Sequence, residues 1–249
     1  MTTTRHAPAA THPVGRVAGP VPRAALPAAL SVVLGLSVVA LLAWPGRGPL
    51  FEGIAGGTAA SPLAGLAGLV ADKGLLALVA ITAGLVLLTW FRDRPRFWLL
   101  AAAGVGAVAA YGTSEVVKLL VTEERPCRAV DVATVLACPA PGDWSWPSNH
   151  STIAGALAVA CLLAAPRLSP LVVPLAVAVA GARVAAGVHY VHDVACGLAL
   201  GVLVTCLVGL TVHAGAQRLR GTQGRTGAER LTRRSTSHPS PAARPTRGR

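Results

Sequence analysis

Long apolar runs broken by short polar joints dominate this chain. They fall at residues 24–44, 75–91, 97–121, 148–165, 168–188 and 194–212. Several reach or exceed the ~18 residues at which an apolar stretch reads as a membrane-crossing helix. The pattern predicts an all-α, polytopic membrane protein whose six transmembrane helices form a bundle. The first run follows a long basic lead-in, and no clear Ala-x-Ala site comes after it, so it is kept as a span rather than a cleaved leader. Residues 54–71 are rich in Gly and Ala and only weakly apolar, and read as a surface or partly inserted helix. Residues 1–23 and 213–249 are polar, basic and without an apolar period, and read as disordered flanks around a membrane domain at 24–212.

Composition agrees with this division. The chain has 249 residues, 53% of them hydrophobic and only 13% charged, against roughly 25% charged in an ordinary soluble domain. Its mean hydropathy is +0.59. A soluble globular protein, a disordered chain and a fibrous repeat are thereby excluded. The net charge of +12 suggests nucleic-acid binding until its placement is considered. Residues 214–249 contribute +8 and residues 1–23 contribute +3. Such basic tails on a membrane protein fit cytoplasmic flanks under the positive-inside rule, so no nucleic-acid partner is expected. With both termini cytoplasmic, 16 of the 22 Lys and Arg fall inside and 6 outside. That orientation predicts a multi-pass plasma-membrane protein.

Three segments near the outer ends of spans three to six carry the candidate chemistry. The first holds Lys118 and Arg125, seven residues apart and on one face if the helix continues that far. Alone, they read as a snorkelling Lys and a rim Arg. Yet the chain uses 20 Arg and only 2 Lys, so a Lys here is not the default cation. The second is Pro147-Ser148-Asn149-His150. It looks like a helix start with Ser148 as N-cap, whose free N–H groups favour an anion. Alone, it is a capped helix with an interfacial His. The third runs from Arg183 to His189 and Asp193. Four residues on a helical turn let the carboxylate hold one imidazole nitrogen and leave the other as nucleophile. Alone, it is a His and an Asp in a wet loop. His192 projects differently and is assigned no role. Together the segments bring three cations, a helix N-terminus, two His and one Asp to one side of the membrane. Ionisable groups are costly at this depth, so a converging set reads as a site, and its chemistry suits a phosphate.

Lys118-x6-Arg125-Pro126, Pro147-Ser148-Asn149-His150 and Arg183-x5-His189-x3-Asp193, in that order, resemble the three-part signature of the type 2 phosphatidic acid phosphatase and haloperoxidase superfamily. The resemblance covers roughly residues 70–212. Two positions depart from it: Asn149 stands where the middle motif usually has Gly, and Ala182 where the third usually has Ser. The resemblance implies an active site at the outer face in which His189 attacks phosphorus to form a phosphohistidine. It implies that Asp193 orients His189 and that His150 protonates the leaving oxygen and then activates water. Lys118, Arg125 and Arg183 would hold the phosphoryl oxygens, with Ser148 and Asn149 adding contacts. It implies hydrolysis of a lipid phosphate or diphosphate without metal or other cofactor. The outer loops also lack the clustered carboxylates that would hold Mg²⁺.

Undecaprenyl diphosphate is the first choice of substrate, because a polar residue at the Asn149 position occurs in undecaprenyl-diphosphatase members of the family. A phosphatidate or phosphatidylglycerophosphate phosphatase is the alternative, and a phosphotransferase acting between lipids is another. A non-enzymatic membrane scaffold or transporter is the rival from a different class; the intact His, His and Asp set argues against it. Six apolar spans argue against a haloperoxidase. Nothing in the sequence sets an oligomeric state.

Cys127 and Cys138 share the loop between spans three and four, where an oxidising exterior permits a disulfide. Cys161, Cys196 and Cys206 read as core residues. Glu115 sits one turn before Lys118 and is placed to pair with it, whereas Glu123 and Glu124 read as solvated rim charges. Trp90, Trp98, Trp144 and Trp146 fit an interfacial aromatic belt.

Overall fold

The computed structural model describes residues 24–236, with side chains to residue 219. The 1–23 flank and the end of the predicted tail lie outside the described residues. Among the described residues the chain is helical, without strands. Its elements are α1 (Ala25–Ala43), α2 (Arg47–Ala59), α3 (Ala64–Arg92), α4 (Arg94–Val121), a short α5 (Pro126–Ala129), α6 (Asn149–Ala164), α7 (Ser169–Ala185) and α8 (Val191–Thr236). A 3-10 turn at Pro166–Leu168 joins α6 to α7.

Local chemistry sets the breaks. Asp93 leaves the helical region (φ −150°), and its carboxylate accepts the Arg96 N–H at 3.2 Å, ending α3 and capping α4. Pro95 pre-sets the first turn of α4. Thr122 stops α4 in the left-handed conformation (φ 48°). The Gly- and Ala-rich stretch 54–71 is not one helix, contrary to its reading from sequence. Ser61 donates to the Thr58 carbonyl (2.9 Å) and accepts from the Leu63 N–H (3.2 Å), and Pro62 brings no donor. Those local bonds compete with a continuous helix. The stretch therefore divides between the end of α2 and the first turns of α3.

Among the described residues, five helices are long and apolar enough to cross a membrane: α1, α3, the helix that begins at Arg94, α7 with its preceding turn, and α8 through Leu219. The sixth predicted span corresponds to α6, whose 16 residues fall short of the ~20 needed to cross alone. The predicted end of the last span at Val212 is also passed. The chain forms two compact units, Met1–Leu210 and Thr211–Arg249, and in the second the helix continues to Thr236.

In the first unit α4 packs on α6, α3 on α7, and α6 on α7. α6 is the enclosed element: Ser151, Thr152, Ala154, Ala158, Cys161 and Ala164 are among its buried residues. α3 and α4 instead expose Leu66, Leu76, Leu87, Val108 and Leu120, an apolar exterior suited to lipid. Such a bundle gains little from apolar transfer between helices, so it depends on close packing of small residues. At Gly201 of α8 a Cβ would run into the Thr152 carbonyl and lie 2.9 Å from Ala156 N. That approach brings the start of α8 against α6, where the polar residues gather.

Gly201→Ala will therefore lower stability by about 1–3 kcal/mol, read as a lower midpoint of thermal unfolding in detergent. Gly112→Ala, where a new methyl group meets nothing within 4 Å, will leave the midpoint unchanged or raised. Equal effects at the two positions would show that α6 and α8 are not held by this contact.

Candidate active site

Polar side chains collect at the end of the bundle where α4 and α7 stop and α6 and α8 begin. The helix does not continue from Lys118 to Arg125, so the two cations do not meet along one helical face. α4 ends at Val121, the chain turns at Thr122, and Arg125 follows in extended conformation (φ −70°, ψ 142°). Both cations converge instead on Asp143. Lys118 Nζ lies 3.4 Å and Arg125 Nη2 2.8 Å from Asp143 Oδ1. Arg125, 3% exposed, also donates from Nε to the Asp143 carbonyl (2.8 Å) and from Nη1 to the Val188 carbonyl (2.9 Å).

His189 sits in the turn between α7 and α8. Gly187 makes that turn with φ +87°, and a Cβ there would collide with Thr134 as well as strain the backbone. Asp193 lies in the first turn of α8. Its Oδ2 accepts from His189 Nδ1 (3.2 Å), from the Tyr190 N–H (2.8 Å) and from the Ser145 hydroxyl. The Asp193 carbonyl in turn accepts the Ser148 N–H at 3.1 Å, joining the start of α6 to that of α8. His189 is 1% exposed and Asp193 fully buried. Burial first, then the charges of Arg125, Arg183 and Lys118, hold the His189 imidazole well below its ordinary value of 6.5, so the ring is neutral at pH 7. With Nδ1–H donated to Asp193, Nε2 carries the lone pair, and Arg125 Nη1 stands 3.0 Å from it.

Arg183 is buried in the last turn of α7, with Nη1 3.3 Å from the Ala71 carbonyl. Its Nε has no hydrogen-bond partner among the described residues, a donor that an anion would satisfy. His150 is half-buried in the first turn of α6, within the field of Arg183, Arg125 and Lys118. Burial pushes the Asp143 carboxyl up, but Arg125 and Lys118 outweigh it and hold it below the usual carboxylate range. Asp143 is thus an anion against two of the three cations.

The structure gathers Lys118, Arg125, His150, Arg183, His189 and Asp193. Ser148 and Asn149 sit beside them with different partners from those expected. Ser148 occupies the N-cap position of α6, but its hydroxyl makes no capping bond and accepts from Ser151 Oγ at 3.2 Å. Asn149 Oδ1 accepts from Ser114 Oγ (2.7 Å) and its Nδ2 donates to Glu115. Its side chain therefore pins α6 to α4. Glu115 is spent on Asn149 rather than bonded to Lys118. Glu123 is not a solvated rim charge: it bonds His192 at 3.1 Å, and its side chain is 14% exposed. His192 is buried at 2%. Asp143 and Ser145 carry no motif signal, because loop residues reach the site only through folding. The disulfide Cys127–Cys138 forms and staples the loop that leads to them.

Comparison with known proteins bears on this constellation. A family model described as the PAP2 superfamily matches residues 73–215. A decaprenylphosphoryl-5-phosphoribose phosphatase of Mycobacterium tuberculosis is 39% identical over 130 residues, 51% of this chain and 67% of the relative. An undecaprenyl-diphosphatase of Sulfolobus acidocaldarius is 36% identical over 104 residues, 41% of this chain and 50% of the relative. The crystal structure of a transmembrane PAP2 type phosphatidylglycerolphosphate phosphatase from Bacillus subtilis shares the fold. Its TM-score is 0.51 at 22% identity, covering 72% of this chain and 93% of that one.

Asp143 occupies cation contacts that an incoming anion needs. Asp143→Asn will bind inorganic phosphate up to about fivefold more tightly, the ~1 kcal/mol scale of a half-exposed ion pair. Calorimetry on the detergent-solubilised protein reads this. Weaker binding by the variant would show that Asp143 supports the anion site instead of competing with it.

Proposed function

The chain belongs to the PAP2 superfamily, and on that premise we propose that it hydrolyses a polyprenyl-linked phosphate through a phosphohistidine, without metal. The observation that carries this reading is the neutral His189, anchored to Asp193 through Nδ1 with Nε2 directed at Arg125. A phosphoryl group replacing the Asp143 carboxylate would meet Lys118 and Arg125, with Arg183 Nε as a further donor. His189 Nε2 attacks phosphorus while the bond to the leaving oxygen breaks. His150 gives that oxygen its proton. His150 then takes a proton from water, which attacks phosphorus, breaks the P–N bond and returns His189 to its neutral form. Asp193 holds the ring and offsets its charge while it is phosphorylated. The three cations stabilise charge on the equatorial oxygens, the part a metal plays elsewhere. Ser148 and Asn149 contribute through the backbone of the α6 start.

The proposed arrangement has six spans, with α6 as the short one, enclosed by the others. The Lys and Arg distribution supports a reading with both termini in the cytoplasm and the site at the outer face of the plasma membrane. The membrane domain spans residues 24–212, flanked by the basic tails. At that end of the bundle a headgroup enters sideways while its chain stays in the bilayer. The relatives named for decaprenylphosphoryl-5-phosphoribose and undecaprenyl diphosphate support a polyprenyl chain. Undecaprenyl diphosphate remains the first choice, with decaprenylphosphoryl-5-phosphoribose beside it. Phosphatidate and phosphatidylglycerophosphate are the alternatives.

His189→Ala will abolish phosphate release while the protein remains folded, and His150→Ala will reduce it by at least about a hundredfold. Wild-type turnover will survive EDTA. Substantial release by folded His189→Ala, or loss with EDTA restored by Mg²⁺, would overturn the mechanism.

Polyprenyl substrates will show kcat/KM at least about tenfold above phosphatidate, or about 1.4 kcal/mol in the transition state. The assay uses right-side-out vesicles with each lipid supplied to the outer leaflet. Equal or reversed preference moves the assignment to glycerolipids. Activity that requires permeabilisation overturns the orientation.

A further inference from the structure

His192 was assigned no role from sequence, yet the structure encloses it beside the catalytic pair. We propose that His192 is a positioning residue. With Glu123 it holds the second oxygen of Asp193, and through Asp193 it fixes the plane of the His189 ring. This rests on the reading of His189 as nucleophile.

The two oxygens of Asp193 are treated differently. Oδ2 takes three donors, from His189, Tyr190 and Ser145. Oδ1 is buried and makes no hydrogen bond of good geometry among the described residues. Its polar neighbour is His192 Nε2 at 3.1 Å, which lies equally 3.1 Å from Glu123 Oε2. His192 Nδ1 is buried without a partner. A proton on Nε2 has acceptors in the Glu123 and Asp193 carboxylates, whereas one on Nδ1 has none among the described residues. The ring is clamped on its faces and edges: Tyr190 stacks on it at 5.3 Å and 16°, and Trp44 meets it edge-on at 4.5 Å. Glu123 is backed by Arg47, 3.9 Å away.

A carboxylate held through one oxygen can swing about its own axis. A ring N–H against the other oxygen restricts that swing, as partners behind a ligating histidine do elsewhere. Trp44 and Arg47 precede the residues matched by the family model. The corner between α1 and α2 thus reaches the nucleophile through a chain of contacts, Arg47–Glu123–His192–Asp193–His189. A ring serving only to fill space would need neither carboxylate.

The test is steady-state kinetics of folded variants on the full chain, with a polyprenyl diphosphate as substrate. His192→Phe keeps the ring and removes the donor; His192→Gln restores an N–H near the Nε2 position. We expect His192→Phe to lower kcat about tenfold or more with KM unchanged within twofold, and His192→Gln to recover most of the loss. Wild-type kcat in His192→Phe, a loss carried by KM, or no recovery by His192→Gln overturns the proposal. If His192→Phe does not fold, Glu123→Gln decides: a threefold or larger fall in kcat at constant KM supports it, and an unchanged kcat overturns it. His189→Ala separates the two readings. If that variant is inactive while His192→Phe is normal, only the positioning role fails. If it is active, the nucleophile assignment fails first.

Discussion

The Arg125 guanidinium is the interaction on which the site depends. It is buried at the end of an apolar bundle, so each donor it carries needs an acceptor. Nε and Nη2 take the Asp143 carbonyl and carboxylate, and Nη1 takes the Val188 carbonyl and faces His189 Nε2. One planar group thereby joins the end of α4, the loop before α6 and the turn before α8. Those three pieces of chain carry two of the three cations, the carboxylate that pairs with them and His189. A Lys at this position would supply charge but not the rigid fork that reaches all three.

Burial also explains how three cations share one pocket. Lys118, Arg125 and Arg183 repel one another, and among the described residues Asp143 offsets two of them at close range. The arrangement also keeps the His189 ring neutral, since a further positive charge there is opposed by burial and by its neighbours. A neutral ring with its lone pair on Nε2 is the form that attacks phosphorus. The same charges that would bind a phosphate thus keep His189 in the form suited to a nucleophile.

Rigidity comes from α6 and α8. Gly201 lets the helices approach until a Cβ would strike the Thr152 carbonyl, and the Ser148 N–H closes the contact on the Asp193 carbonyl. Asn149 adds a tie from α6 to Ser114 and Glu115 of α4. The Asn in place of the usual Gly therefore has a structural occupation, which its sequence context did not reveal. The Cys127–Cys138 bridge limits the freedom of the loop bearing Asp143 and Ser145. A staple of that loop length is worth about 2–3 kcal/mol.

Some of this was legible in the sequence because it depends on local spacing or on bulk apolarity. Runs of apolar residues determined that the chain is a bundle of helices. The four-residue interval between His189 and Asp193 kept them close enough to pair, although His189 lies in the turn before α8 and only Asp193 in its first turn. Three cations with two His and an Asp pointed to phosphate chemistry, because such groups are costly in an apolar setting unless they serve one site. The tertiary structure decided the rest. Lys118 and Arg125 meet through Asp143 because Thr122 ends the helix, a choice made by backbone conformation and packing. Glu115 read as a partner of Lys118, and Glu123 and His192 as incidental, because their actual partners lie 34, 69 and 69 residues away in the chain. No periodicity encodes such distances. Only folding brings those groups within hydrogen-bonding reach, and only burial makes the contacts matter.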